Sequence, residues 1–147
     1  MSNEVLRDLI NTGFSQTRHV QPWAWRYAKQ LMDRACALGL VRPYDFGRGK
    51  GKYTSELHTP ELAAKLEHDP QAVKIASSYR ASRTKRALDL FLRDGRLGDF
   101  KKDSVFLADL EHELTAAGIP YTIAPPLLRS ESLYVSLRRE GTTANAE

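Results

Sequence analysis

The sequence has one cysteine, four histidines and two tryptophans in 147 residues. A single thiol, Cys36, excludes an internal disulfide and fits a reducing compartment. No apolar run approaches the length of a membrane span, so no membrane partner is expected. The opening "MSNEVLRDLI" has neither a basic n-region nor a long apolar h-region, so no secretory signal is expected and the location is read as cytoplasmic. His19, His58 and His68 are scattered. His112 sits in "LEHEL", without a second His or Cys three or four positions away, so no metal is expected.

Motifs for catalysis are equally sparse. A phosphate-binding Gly-rich loop needs Gly four residues before Gly-Lys-Ser/Thr, but Tyr53 follows Gly51-Lys52 and Phe46 stands where the first glycine belongs. Asp99, Asp103 and Asp109 lack the Glu-x-Lys strand of a nuclease cluster, and helix caps explain two of them. A non-enzymatic protein without a cofactor is expected.

The chain does have charge, distributed unevenly. Residues 1–58 hold 9 Lys/Arg against 5 Asp/Glu, residues 59–102 hold 10 against 6, and residues 103–147 hold 3 against 7. The first two thirds are therefore basic and the last third acidic. A solvated surface explains such a balance, and so does a polyanion-binding front with a rear that binds something else. A sequence pI near 9.3 admits nucleic acid.

Periodicity predicts a mostly α protein with two β-hairpins, an α+β class. Val5, Leu6, Leu9 and Ile10 share one face of a short helix 3–10, capped by Ser2 or Asn3, and Gly13 breaks the pattern. Pro22 starts a strong helix whose apolar stripe is Ala24, Tyr27, Ala28, Leu31, Ala35 and Leu38, and Gly39 stops it. Strands follow over 40–44 and 53–58 around "GRGKG". Thr59-Pro60-Glu61 starts a helix to Glu67, and Asp69-Pro70 starts a long one to Arg93, with a break near Ser82 or none. Gly95 and Gly98 end it. Asp103 or Ser104 caps a helix to Ala117, and strands follow at 121–124 and 133–138. The tail 141–147 reads as disordered. The expected division is a module 1–68 and a second module 69–140. "DRACALGLVRPYDF" and "HELTAAGIPYTIAP" share a layout of helix, glycine and hairpin, by repeat or by chance.

The loop "GRGKGKY" is best read as a hairpin tip presenting Arg48, Lys50 and Lys52, either for solubility or to meet a polyanion. The ordered set Asp33-Arg34, Gly39-Leu40-Val41, that basic loop and "LHTPELAAKL" resembles the winged-helix DNA-binding fold, closest to regulators of the multiple-antibiotic-resistance type, over residues 3–67. Where that family has a short helix before the recognition helix, "SQTRHVQPWA" is interrupted by Pro22. If the second half copies the first, the fold is two tandem winged-helix-like halves.

The resemblance implies duplex DNA as partner. Helix 22–38 would enter the major groove with Trp25, Arg26, Lys29 and Gln30, Arg18 would meet phosphate, and Arg48, Lys50 and Lys52 would lie on the backbone or in a minor groove. Trp23 and Trp25 cannot both face one core, and core packing suits at least one of them. Arg80, Arg83, Lys85 and Arg86 could track phosphates or form a solvated helix exterior. The expected role is a transcriptional regulator or a phage or plasmid DNA-binding factor. The competing class is a protein-interaction adaptor, or a phage-borne inhibitor of a host machine, acting through residues 103–138, which could also self-associate. RNA binding is a third option.

Overall fold

The computed structural model describes residues 3–15, 20–45, 51–125 and 133–140. Its class is mixed α+β. The elements run α1 (Glu4–Phe14), α2 (Pro22–Ala37), β1 (Arg42–Asp45), β2 (Gly51–Thr54), α3 (Thr59–Leu66), α4 (Pro70–Asp94), β3 (Arg96–Lys101), α5 (Val105–Ala116), β4 (Tyr121–Ala124) and β5 (Tyr134–Arg139). No described helix is long and apolar enough to cross a membrane. The chain divides into two compact units, Met1–Arg80 and Ala81–Glu147. Residues 68–69, the division expected from sequence, fall between α3 and α4, whereas the units divide within α4.

In the first unit, α1 buries Val5, Leu6, Leu9 and Ile10, as its apolar spacing predicts. Its course corrects the sequence reading, because the helix continues through Gly13 to Phe14. The reason is packing: a Cβ on Gly13 would overlap Cγ of the buried Met32 on α2 and stand 2.9 Å from its Sδ. The glycine lets two helices approach. α2 contributes Ala28, Leu31, Met32 and Ala35 to the same core, and α3 adds Leu62, Ala63 and Leu66. Leu38, expected at the end of the apolar stripe, is exposed.

α2 ends at Gly39, whose φ of 78° suits a residue without Cβ. The Leu40 amide donates to the Ala35 carbonyl at 2.9 Å, the reverse turn typical of a glycine cap. β1 and β2 pair antiparallel, Arg42 opposite Thr54 and Asp45 opposite Gly51. Gly51 and Lys52 thus belong to the strand rather than to the turn. Residues 55–58 leave it, because Ser55 turns its hydroxyl back to the Leu40 carbonyl, 2.8 Å, and accepts from the Leu57 amide, 3.0 Å. Glu61 then reaches back to the His58 amide, 3.0 Å, satisfying one donor at the start of α3.

The second unit holds the two strands expected at 121–124 and 133–138, here β4 and β5, and a third, β3, that the periodicity does not predict. β3, β5 and β4 form three antiparallel strands in that order. Ala87 and Phe91 of α4 and Leu107, Leu110 and Leu114 of α5 pack with Phe100, Val135 and Leu137 of the sheet. Phe100 and Phe106 meet edge to face at 5.2 Å. Ser104 caps α5 by accepting from the Leu107 amide at 3.1 Å. α5 ends as α2 does: Gly118 has φ 70°, and the Ile119 amide donates to the Leu114 carbonyl at 2.9 Å. Arg139 closes the end of α4, its Nη1 donating to the Leu92 carbonyl at 2.8 Å.

Candidate nucleic-acid-binding surface

The buried stripe of α2 fixes what the opposite side presents. Arg26, Lys29, Gln30, Asp33 and Ala37 recur at helical spacing and are all exposed. Arg26, Lys29 and Gln30, three of the four base-contact candidates, therefore lie together on one solvent face. Trp25, the fourth, is partly exposed on its flank.

Trp23 is the tryptophan that packs. Its ring stacks on Tyr79 at 5.7 Å and 21°, and Tyr27 meets Tyr79 at 5.8 Å. The Tyr79 hydroxyl donates to Asp8 at 3.3 Å. One aromatic group thus ties α1, α2 and the start of α4. The Arg26 guanidinium lies 6.0 Å from the Tyr27 ring, the outer limit for a cation over an aromatic face.

The Asp33-Arg34 pair does the joining. Asp33 accepts from the Tyr53 hydroxyl at 3.0 Å, fastening β2 to α2. The same carboxylate accepts from Lys29 at 3.0 Å. Both members of that ion pair are more than half exposed, so it contributes little and leaves Lys29 able to exchange partners. Arg34 turns the other way and grips Asp69 with two bonds, 2.9 and 2.7 Å. Asp69 also accepts from the Ala72 amide at 2.9 Å, so it caps α4 while holding α2.

These contacts account for the titration shifts. The hydrogen bond to Asp69 holds the Arg34 guanidinium above its ordinary value, and that to Arg34 holds the Asp69 carboxyl below its own. Burial, followed by the hydrogen bond to Asp33, pushes the Tyr53 phenol well up. Burial and then Asp33 also push the Cys36 thiol up, with Lys29 opposing, which disfavours a reactive thiolate. No group of three His, Cys, Asp or Glu side chains suited to a metal occurs among the described residues.

The other predicted contacts are dispersed. Arg18, Arg48 and Lys50 lie outside the described residues, as does the tail 141–147. Lys52 falls in β2, and only its backbone is described. Arg80 belongs to the first unit, where it lines a cavity of about 410 Å³ with Val5, Leu6, His68, Val73 and Ala76. Arg83 corrects the reading of "YRASRTKR" as an exposed cationic face. It is buried in the second unit, its guanidinium 4.5 Å over the Phe106 ring. Its long stem and planar head serve packing there. Lys85 and Arg86 are exposed, and Lys85 lies 3.9 Å from Asp89.

The anchoring residues Tyr53 and Asp69 lie outside the set of candidate contacts that the sequence offers. The signal for both was the Asp-Arg pair followed by a hairpin and an Asp-Pro helix start. Compared with protein-family models, curated proteins and solved structures, the chain matches none.

Proposed function

We infer that the protein binds duplex DNA without catalysing a reaction, as a transcriptional regulator or a phage or plasmid DNA-binding factor. The carrying observation is the exposed face of α2, where Arg26, Lys29 and Gln30 stand clear of the core while Tyr53 fastens the basic hairpin to the same helix. A helix of 16 residues is about 24 Å long, and its N-terminal half can lie in a major groove. Arg26 suits guanine and Gln30 adenine. Lys29 would give up Asp33 for a phosphate, and the hairpin cations Arg48, Lys50 and Lys52 would follow the backbone. In this reading the first unit is a winged helix with α2 as its recognition helix. The second unit's strand order, with β5 between β3 and β4, is compatible with a second, reduced winged-helix-like half.

The test is fluorescence anisotropy with a labelled random-sequence duplex across a salt series. Arg26→Ala/Lys29→Ala should weaken binding and lower the salt slope by about 1.8, two contacts at ~0.9 each. An unchanged slope would remove α2 from the interface.

A protein-interaction adaptor is the second reading. It is favoured by Ile123 and Leu133, which are 53% and 67% exposed in the otherwise acidic C-terminal third. Sedimentation of the chain with and without DNA separates self-association from DNA-driven assembly.

A further inference from the structure

We propose that the outer face of the three-stranded sheet in the second unit is a second phosphate-contacting surface, centred on Arg96 and Arg138. The ligand class is the sugar–phosphate backbone of duplex DNA, and that choice rests on the DNA-binding reading above.

The register places these residues. Arg96 on β3 lies directly opposite Arg138 on β5, and Arg138 lies opposite Thr122 on β4. Residues directly opposite share a face. Side chains alternate along a strand, so Val135, Leu137 and their partners Phe100 and Leu97 take the core side. Arg96, Arg138 and Thr122 are left as one row on the other side. Lys101, opposite Tyr134, has the same parity about 13 Å further along by strand rise, separated from the arginine pair by a covered stretch. Between them, Ser136 is buried and donates to the Pro125 carbonyl at 2.8 Å.

Two guanidinium groups opposite each other on adjacent strands repel. Acids that could neutralise them are engaged or apart among the described residues. Asp94, two residues before Arg96, is held by Arg93 at 3.0 Å. Glu140, two residues after Arg138, makes no ion pair with either arginine among the described residues. A phosphate between the two forks would convert the repulsion into paired charge-assisted hydrogen bonds. Of the seven carboxylates in residues 103–147, three, Asp109, Glu111 and Glu113, lie on α5 and not on these strands.

The test is the same duplex salt titration on the full chain, with Arg96→Gln/Arg138→Gln beside Arg26→Ala/Lys29→Ala. The sheet variant should lower the salt slope by about 1.8, so that a fourfold rise in salt costs it about twelvefold less affinity than wild type. Its melting temperature should be equal to or above wild type, since the opposed charges are gone, and this separates lost contact from lost fold. If wild type binds and the sheet variant keeps the full slope, the second surface is refuted and the α2 reading stands. If the slope falls in the sheet variant and not in the α2 variant, the α2 reading fails and the sheet surface stands. Absence of binding by wild type at low salt refutes both. Displacement of the duplex by polyglutamate as effective as by unlabelled duplex, at equal charge, would reassign the surface to an acidic protein.

Discussion

Gly13→Ala is expected to destabilise the first unit although alanine is the better helix former. Gly13 is the penultimate residue of α1, so the exchange gains at most the helix-interior value of about 0.5–1 kcal/mol from propensity. Here the added Cβ overlaps Cγ of Met32, whose side chain is fully buried, and lies 2.9 Å from Sδ. Forcing a methyl into a filled core costs about 1–3 kcal/mol. The net expectation is a loss of about 1 kcal/mol, or ~4–8 °C for a domain of this size. Removing the obstacle should reverse the sign, so in a Met32→Ala background Gly13→Ala should stabilise, by at most about 0.5–1 kcal/mol. Both tryptophans of the chain lie on α2, so urea unfolding followed by tryptophan fluorescence reports the first unit directly. Stabilisation by Gly13→Ala in the wild-type background, or an equal effect in both, would refute the proposed contact between α1 and α2.

Other perturbations test other joints. Tyr53 has a raised pKa, so its contribution is complete below the ordinary tyrosine value of about 10 and is lost as pH rises through the folded value. Tyr53→Phe should flatten the alkaline fall in melting temperature, and in phenolate absorbance it should remove a residue that titrates above the ordinary tyrosine range. Asp69 has a lowered pKa, so its contribution is complete above the unfolded aspartate value of about 3.9 and is lost as pH falls through the folded one. Asp69→Asn keeps an acceptor for the Ala72 amide but loses the Arg34 pair, so it should flatten the acid limb of a melting curve series. Arg83→Met should leave the DNA salt slope unchanged, because this cation is buried against Phe106; a drop of about 0.9 would return Arg83 to the interface.

Much of the first unit is legible in the sequence because its apolar residues are spaced for one face and its stops are glycines. The repeat-like layout around Gly39 and Gly118 is real locally. Both helices end with the same turn, and both strands begin three residues later, at Arg42 and Tyr121. The units differ beyond it, since only the second has a third described strand. That strand, "RLGDFK", is illegible for a physical reason: the register shifts between Gly98 and Phe100. Leu97 and Phe100 therefore share a face at a spacing of three, which breaks the alternation that marks a strand. α1 is underestimated because Gly13 reads as a break, when its missing side chain is the space Met32 fills. The exposed face of α2 is readable as the complement of its apolar stripe. The burial of Arg83 is not, since no helical period tells which neighbour covers a cation. Nor is the Arg96–Arg138 row, which exists only once the register of β3 and β5 is known.

The most direct measurement is the binding of the full chain to a random-sequence DNA duplex across a salt series, beside Arg48→Ala/Lys50→Ala/Lys52→Ala. DNA binding through α2 and the hairpin predicts a steep loss of affinity with salt for wild type, and a slope lower by about two to three units for the variant. No binding by wild type at low salt would contradict it, as would an identical slope in the two proteins.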